Sequence, residues 1–126
     1  MTMPTLPNQL NTTSAAGSQW ATTYTLQNDD GTLMNIVGKS FEFVVRPSTT
    51  DVAEPALVAV NSTTATAQGY ITVTPSTSTV QVVLSPTATA LLGQSAYPYS
   101  LWMDPGLTDA TDLVVGTFFS SLVAAA

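Results

Sequence analysis

Side chains that titrate near neutral pH are almost absent from this chain. Its 126 residues include no histidine and no cysteine, and its two basic side chains are Lys39 and Arg46. General acid–base catalysis usually relies on a group with a pKa near neutrality, most often histidine, and covalent catalysis needs a nucleophile beside a base. We therefore expect a protein that is not an enzyme and that uses no cofactor.

Charge is also scarce, because charged residues make up 8% of the chain and give it a net charge of −6. Two cations cannot form a basic footprint for phosphates, which argues against nucleic acid and against anionic membrane surfaces. The N-terminus lacks the basic and apolar regions of a secretory signal, and no apolar run is long enough to span a bilayer. We expect synthesis in the cytoplasm without a signal peptide, and neither nucleic acid nor membrane as a partner.

The length and the apolar content indicate one folded domain. A chain of 126 residues can bury about two-thirds of its unfolded surface around a single core. Hydrophobic residues reach 44%, whereas disordered chains combine low hydrophobicity with high net charge. Residues 1–18 hold Pro4, Pro7 and Gly17 without periodicity, so they predict an extended N-terminal arm that precedes a domain over residues 19–126.

Alternation of apolar and polar residues runs through most of the domain. This period of two is typical of β-strands, and turn residues separate the runs. The predicted strands cover residues 20–27, 41–46, 56–60, 69–75, 79–84, 97–103 and 113–119. Both faces of the last strand are apolar, which predicts a strand that is central in a sheet or covered on both sides. Ser85 followed by Pro86, with Gly93 as a stop, predicts one short helix. The pattern predicts an all-β sandwich or barrel.

The alternation also predicts which side chains fill the core between the two sheets. They share inward-facing positions in separate strands. The predicted core is Phe41, Phe43, Val45, Ile71, Val73, Val82, Leu84, Leu101 and Val115.

Two groups of residues are candidates for a binding site. Asp104, Asp109 and Asp112 lie in one stretch that offers oxygen ligands for Ca²⁺, but their spacing lacks the regularity of a calcium loop, so a solvated hairpin loop without metal is favoured. The second group consists of five aromatic residues that could form a platform for sugars or serve as core and interface anchors: Trp20, Tyr24, Tyr97, Tyr99 and Trp102. A carbohydrate-binding module would expose Trp102 or Trp20 over a groove, whereas a structural module would bury them in the core or in an interface.

The order of the motifs resembles that of the immunoglobulin-like modules of tailed-phage virions, such as the N-terminal domains of baseplate upper proteins and related tail, fibre or head-attached proteins. The matching stretches are Trp20-Ala-Thr-Thr-Tyr-Thr-Leu26, Asp30-Gly-Thr-Leu33, Val37-Gly-Lys-Ser-Phe-Glu-Phe-Val-Val-Arg46, Gly69-Tyr-Ile-Thr-Val73, Val82-Val-Leu-Ser-Pro-Thr-Ala-Thr-Ala-Leu-Leu92, Tyr97-Pro-Tyr-Ser-Leu-Trp-Met-Asp104 and Leu113-Val-Val-Gly-Thr-Phe118. Ser100 stands where an acidic residue is common in that family.

The resemblance implies an immunoglobulin-like β-sandwich of about seven to eight strands, preceded by the arm. It implies a non-enzymatic structural protein located in the virion, on the tail, baseplate or head. Its expected partners are other virion proteins and further copies of itself. The alternative is a carbohydrate-binding or host-adhesion β-sandwich module, and enzymatic activity is a third and weaker interpretation.

The arm supplies the candidate interface residues. A segment rich in Pro, Thr and Ser has few apolar groups to hold it against its own domain, while ordering each backbone residue costs roughly 1–2 kcal/mol. We therefore expect Leu6, Pro7 and Leu10 to dock on a neighbouring subunit. Trp20 and Trp102 are the further interface candidates, because aromatic residues often anchor protein interfaces.

Overall fold

Two β-sheets make up most of the computed structural model, which describes residues 8–51 and 56–122. The elements, in chain order, are β1 (Asn8–Gln9), β2 (Thr12–Ala15), β3 (Trp20–Thr25), β4 (Phe41–Val45), β5 (Val58–Asn61), β6 (Gly69–Thr74), a single 3₁₀ turn (Pro75–Thr77), β7 (Thr79–Leu84), α1 (Pro86–Ala90), β8 (Ser95–Met103) and β9 (Thr111–Ser121).

The larger sheet has the strand order β1-β9-β8-β4-β5, and β2 pairs with β9 as well. The smaller sheet has the order β3-β7-β6. Every pairing is antiparallel except those of β1 and β2, which run parallel to β9. The prediction of an all-β sandwich with one short helix is confirmed, and the seven predicted runs correspond to β3–β9.

Local sequence signals explain the helix and the first turn. The Ser85 hydroxyl accepts a hydrogen bond of 3.3 Å from the Ala88 N–H. Pro86 is the first residue of α1, a position whose N–H has no acceptor within the helix, so the missing N–H of proline costs nothing there. In the turn after β3, the Asp30 carboxylate accepts hydrogen bonds from Thr32, and Gly31 adopts a positive φ of 87°. The predicted helix and turn are both confirmed.

The space between the sheets holds an aromatic cluster at its centre. Trp20 from the smaller sheet has its ring centroid 5.5 Å from that of Phe43 and 5.0 Å from that of Phe118. The ring centroid of Tyr99 lies 5.2 Å from that of Phe43, and both residues belong to the larger sheet. These separations are typical of favourable aromatic pairs, so the cluster joins β3 to three strands of the larger sheet.

Most of the predicted core residues are buried between the sheets, and two differ. The buried ones are Phe41, Phe43, Val45, Ile71, Val82, Leu84 and Leu101. Val73 is half-buried and packs against the edge of the core. Val115 was predicted to face inward and instead lies on the outer face, where it is half-buried and Ser100 is its partner on β8.

A β-bulge is the reason for the error at Val115. Leu101 pairs with Val114, but the next residue of β8, Trp102, pairs with Asp112. Leu113 is therefore an extra residue in β9, and a bulge of this kind shifts the alternation by one position. Leu113 and Val114 are both buried as a result.

The N-terminal segment lies in the fold rather than on a separate arm, which corrects the predicted boundary after residue 18. β1 and β2 extend the larger sheet along β9, and the N–H groups of Leu10 and Ala16 donate to Val115 and Ser121 at 2.9 and 2.8 Å. The Gly17 N–H donates a hydrogen bond of 3.1 Å to the hydroxyl of Thr89, which lies in α1. Backbone hydrogen bonds, rather than apolar side chains, hold residues 8–17 against their own domain. The predicted docking residues Leu6 and Pro7 lie outside the described residues.

Candidate functional site

The outer face of the larger sheet is where the candidate site lies. Strands β4, β8 and β9 are neighbours there, and their register aligns outward-facing side chains in rows across the sheet. One row is Glu42, Trp102 and Asp112, and the next is Val44, Ser100 and Val115. The side chains of such rows lie about 4.5–5.5 Å apart at Cβ, so they can act on one ligand.

A groove of about 700 Å³ follows these rows. Its lining combines apolar, hydroxyl, amide and charged groups: Gln9, Val44, Arg46, Ser48, Thr49, Asp51, Ala96, Tyr97, Pro98, Tyr99, Ser100, Trp102, Asp112, Val115, Gly116 and Thr117. A volume in the range of roughly 300–1,000 Å³ is typical of small-molecule sites. The groove is therefore in the size range of a small-molecule site.

Trp102 separates this groove from a second hollow. Trp102, Val44 and Arg46 line both spaces, and the second hollow, of about 390 Å³, is completed by Glu42, Pro105, Gly106 and Ala110. The indole is half-buried, so part of the ring remains available to a ligand. Trp102 therefore lies outside the core of its own chain, in a position open to a ligand or to a neighbouring protein.

Trp20 has the opposite environment. It is 9% exposed and packs in the aromatic cluster with Phe43 and Phe118. Its prediction as an interface residue is wrong, because the smaller sheet turns this side chain into the core of its own chain.

Asp112 is the unusual polar group of the groove. Its carboxylate is half-buried beside Trp102, and its Oδ1 atom is buried without a hydrogen-bond partner. Burial raises the pKa of Asp112 to about 6, and the neighbouring Ser100 side chain and Val114 N–H oppose that rise. A carboxylate that is poorly solvated and incompletely satisfied favours a ligand that brings a hydrogen-bond donor.

The opposite end of the groove contains an ion pair. The Arg46 guanidinium lies 3.5 Å from the Asp51 carboxylate, and both side chains are partly exposed. Ser48 and Thr49 line the groove between them. This end offers donors and acceptors whose charges largely compensate each other.

The predicted aromatic platform does not form as a unit. Tyr97 and Tyr99 lie on the opposite face of β8 from Trp102, and their hydroxyls donate to the backbone carbonyls of Leu92 and Leu10 at 2.8 and 2.6 Å. Burial raises the pKa of Tyr24 well above its ordinary value, in keeping with a position against the core. Trp102 is therefore the aromatic residue of the predicted set whose ring remains outside the core.

The three aspartates considered for calcium are divided between two places. Lys39 Nζ lies 3.2 Å from Asp104 Oδ2 and 3.3 Å from Asp109 Oδ2. Burial alone would raise the pKa of Asp104, but the Ser40 N–H and the Lys39 ammonium lower it below its ordinary value. Asp112 lies in the groove instead. Over residues 8–51 and 56–122, no group of three or more potential ligand side chains is placed to hold a metal ion.

Sequence reasoning missed Arg46, Asp51 and Asp112 as members of one site. No local sequence pattern indicates that these residues share a site, because they are far apart in the chain and are brought together by the order of the strands.

No protein-family model matches the chain, and no curated protein matches it either. The helices in the described part of the chain are all too short or too polar to cross a membrane.

Proposed function

We propose that this protein is a non-enzymatic structural component of a tailed-phage virion, located on the tail, baseplate or head. It assembles through protein–protein interfaces with other virion proteins and with further copies of itself. The proposal is supported by the motif order of residues 19–123, which resembles virion immunoglobulin-like modules, together with the all-β sandwich.

The observation that carries the proposal is the character of the surface. Among the described residues, eight large apolar side chains are exposed: Leu10, Leu33, Val37, Tyr70, Leu91, Leu107, Phe119 and Leu122. Charged residues make up 8% of the chain. Interface cores are depleted of charge and enriched in aromatic residues, so such a surface suits close packing against other proteins.

The smaller sheet adds a second support. Its outer strands β3 and β6 pair with β7, and each leaves one edge without a strand partner among the described residues. Neither edge strand contains a charged residue, although charged residues are a common means of preventing edge-to-edge association. Such edges are suited to pairing with a strand of a neighbouring protein.

Mass spectrometry of purified particles tests the proposal. The chain should be found in virions separated from host lysate on a density gradient, and antibodies against it should label the particles in electron micrographs. Presence of the chain in the infected-cell lysate together with its absence from intact virions would overturn the proposal.

A further inference from the structure

We propose that the groove between β4, β8 and β9 binds a neutral carbohydrate, with a sugar ring against the Trp102 indole and a sugar hydroxyl donating to the half-buried carboxylate of Asp112. This inference goes beyond the structural role proposed above, because the groove can bind sugar whether or not the chain belongs to a particle.

The Asp112 carboxylate gives the first argument. Its Oδ1 atom is buried and accepts no hydrogen bond, and buried acceptors left without a donor carry a cost that native proteins rarely retain without a functional reason. Trp102 is its direct partner across the β-ladder. A ligand that contacts the indole therefore lies beside this half-buried carboxylate, which lines the groove, and can donate a hydrogen bond to it.

Trp102 gives the second argument. Its half-buried ring forms the wall between two hollows. An aromatic ring presents a flat apolar surface, and a pyranose ring has one face composed largely of C–H groups with hydroxyls around its rim. Stacking such a face on the indole leaves the hydroxyls directed at the polar lining, and Ser48, Thr49 and Thr117 lie along the groove.

Charge favours a neutral ligand. The groove contains the carboxylates of Asp51 and Asp112 together with the Arg46 guanidinium, in a chain of net charge −6. An anion would meet an excess of negative charge, which is unfavourable even though one guanidinium is present. A hydroxyl-rich neutral molecule avoids this conflict, because its hydroxyls can donate to the carboxylates and accept from the guanidinium.

The full-length protein should first be screened on a printed glycan array, and the best-bound neutral glycan should then be titrated by calorimetry. Trp102→Ala and Asp112→Asn should each weaken binding about 10-fold or more, as expected for the loss of one stacking surface or one charge-assisted hydrogen bond. Trp102→Phe should retain part of the affinity. Tyr70→Ala is the matched control, since Tyr70 is an exposed aromatic residue on the other sheet and should leave affinity unchanged.

Tryptophan fluorescence provides a second readout with the same glycan. Trp102 borders the groove while Trp20 is buried in the core, so glycan should change the emission of the parent protein and leave that of Trp102→Phe unchanged. Circular dichroism should show that all variants keep the β-sheet signal.

Three results would overturn the inference. The first is an array without any retained glycan. The second is a bound glycan whose affinity is the same in Trp102→Ala, in Asp112→Asn and in the parent. The third is affinity that falls steeply with added salt, because salt weakens the binding of charged ligands and has little effect on neutral ones. None of these results bears on whether the chain is found in virions.

Discussion

The Tyr99 hydroxyl donates a 2.6 Å hydrogen bond to the backbone carbonyl of Leu10, 89 residues earlier in the chain. Leu10 lies between β1 and β2, and its carbonyl oxygen packs against Gly116 on the inner face of β9. A Cβ atom at Gly116 would overlap that carbonyl oxygen. The N-terminal segment is therefore joined to the sheet by a side-chain hydrogen bond as well as by the backbone ladder.

Tyr99→Phe should destabilise the fold by about 1 kcal/mol, because the Leu10 carbonyl loses its side-chain donor. Hydrogen exchange should also become faster in β1 and β2. Urea unfolding and exchange mass spectrometry measure the two effects. Tyr97→Phe is the matched control, since its hydroxyl donates to Leu92 instead. Equal exchange in β1 and β2 for both variants would show that the Leu10 contact does not hold the segment.

Gly116→Ala should cost more than 2 kcal/mol, since a methyl group and the Leu10 carbonyl cannot occupy the same place. In a chain that begins at Asn11, the same substitution should cost clearly less. This double-mutant comparison separates the cost of the clash with Leu10 from any preference of the strand for glycine or alanine at position 116. An identical cost in both backgrounds would contradict the explanation.

Phe43→Ala should destabilise the protein by about 3–5 kcal/mol, because it leaves a cavity in the aromatic cluster. Phe43 is fully buried, whereas Phe119 is 42% exposed on the outer face of β9. Phe119→Ala removes the same side chain and should cost less than about 1 kcal/mol. Thermal unfolding of both variants checks the contrast, and similar melting temperatures would show that the register of the core is wrong.

Deletion of residues 1–15 should lower the stability of the domain by roughly 2 kcal/mol or more, since it removes the pairing of β1 and β2 with β9. Deletion of residues 1–7 keeps both strands and is the comparison. The longer deletion also exposes an edge of β9, so light scattering should detect aggregation. Equal stability of the two truncated chains would restore the prediction of a separate arm.

Asp112→Asn should stabilise the protein above pH 6, and the gain should disappear below about pH 4. The folded-state pKa of Asp112 is about 6, above its ordinary value of 3.8, so the unfolded chain ionises first as the pH rises. The carboxyl therefore lowers stability progressively between these values and most fully above pH 6. The Asp112 carboxyl is about half exposed and solvent screens its charge, so we expect a gain of roughly 1 kcal/mol.

Thermal melts of parent and variant across this pH range measure the difference. The other charged groups of this face, Glu42, Arg46 and Asp51, are the same in both proteins, so their own contributions largely cancel. A stability difference that does not vary with pH would contradict the prediction.

Local chemistry was enough to locate strands β3–β9 and the helix. The alternation in residues 41–46 and 97–103 correctly assigned Phe41, Phe43 and Leu101 to the core, because a strand's period of two is a property of consecutive residues. Ser85 and Pro86 likewise marked the start of α1.

Sequence by itself determined the all-β class, the order of β3–β9 and most of the core, because strand period, turn residues and helix caps act over a few neighbouring positions. The tertiary structure alone decided the bulge at Leu113, the parallel pairing of residues 8–15 and the meeting of Trp102, Asp112 and Arg46 in one groove. These features depend on which strands become neighbours and in what register. That choice is made by packing between residues far apart in the chain, and no local pattern encodes it.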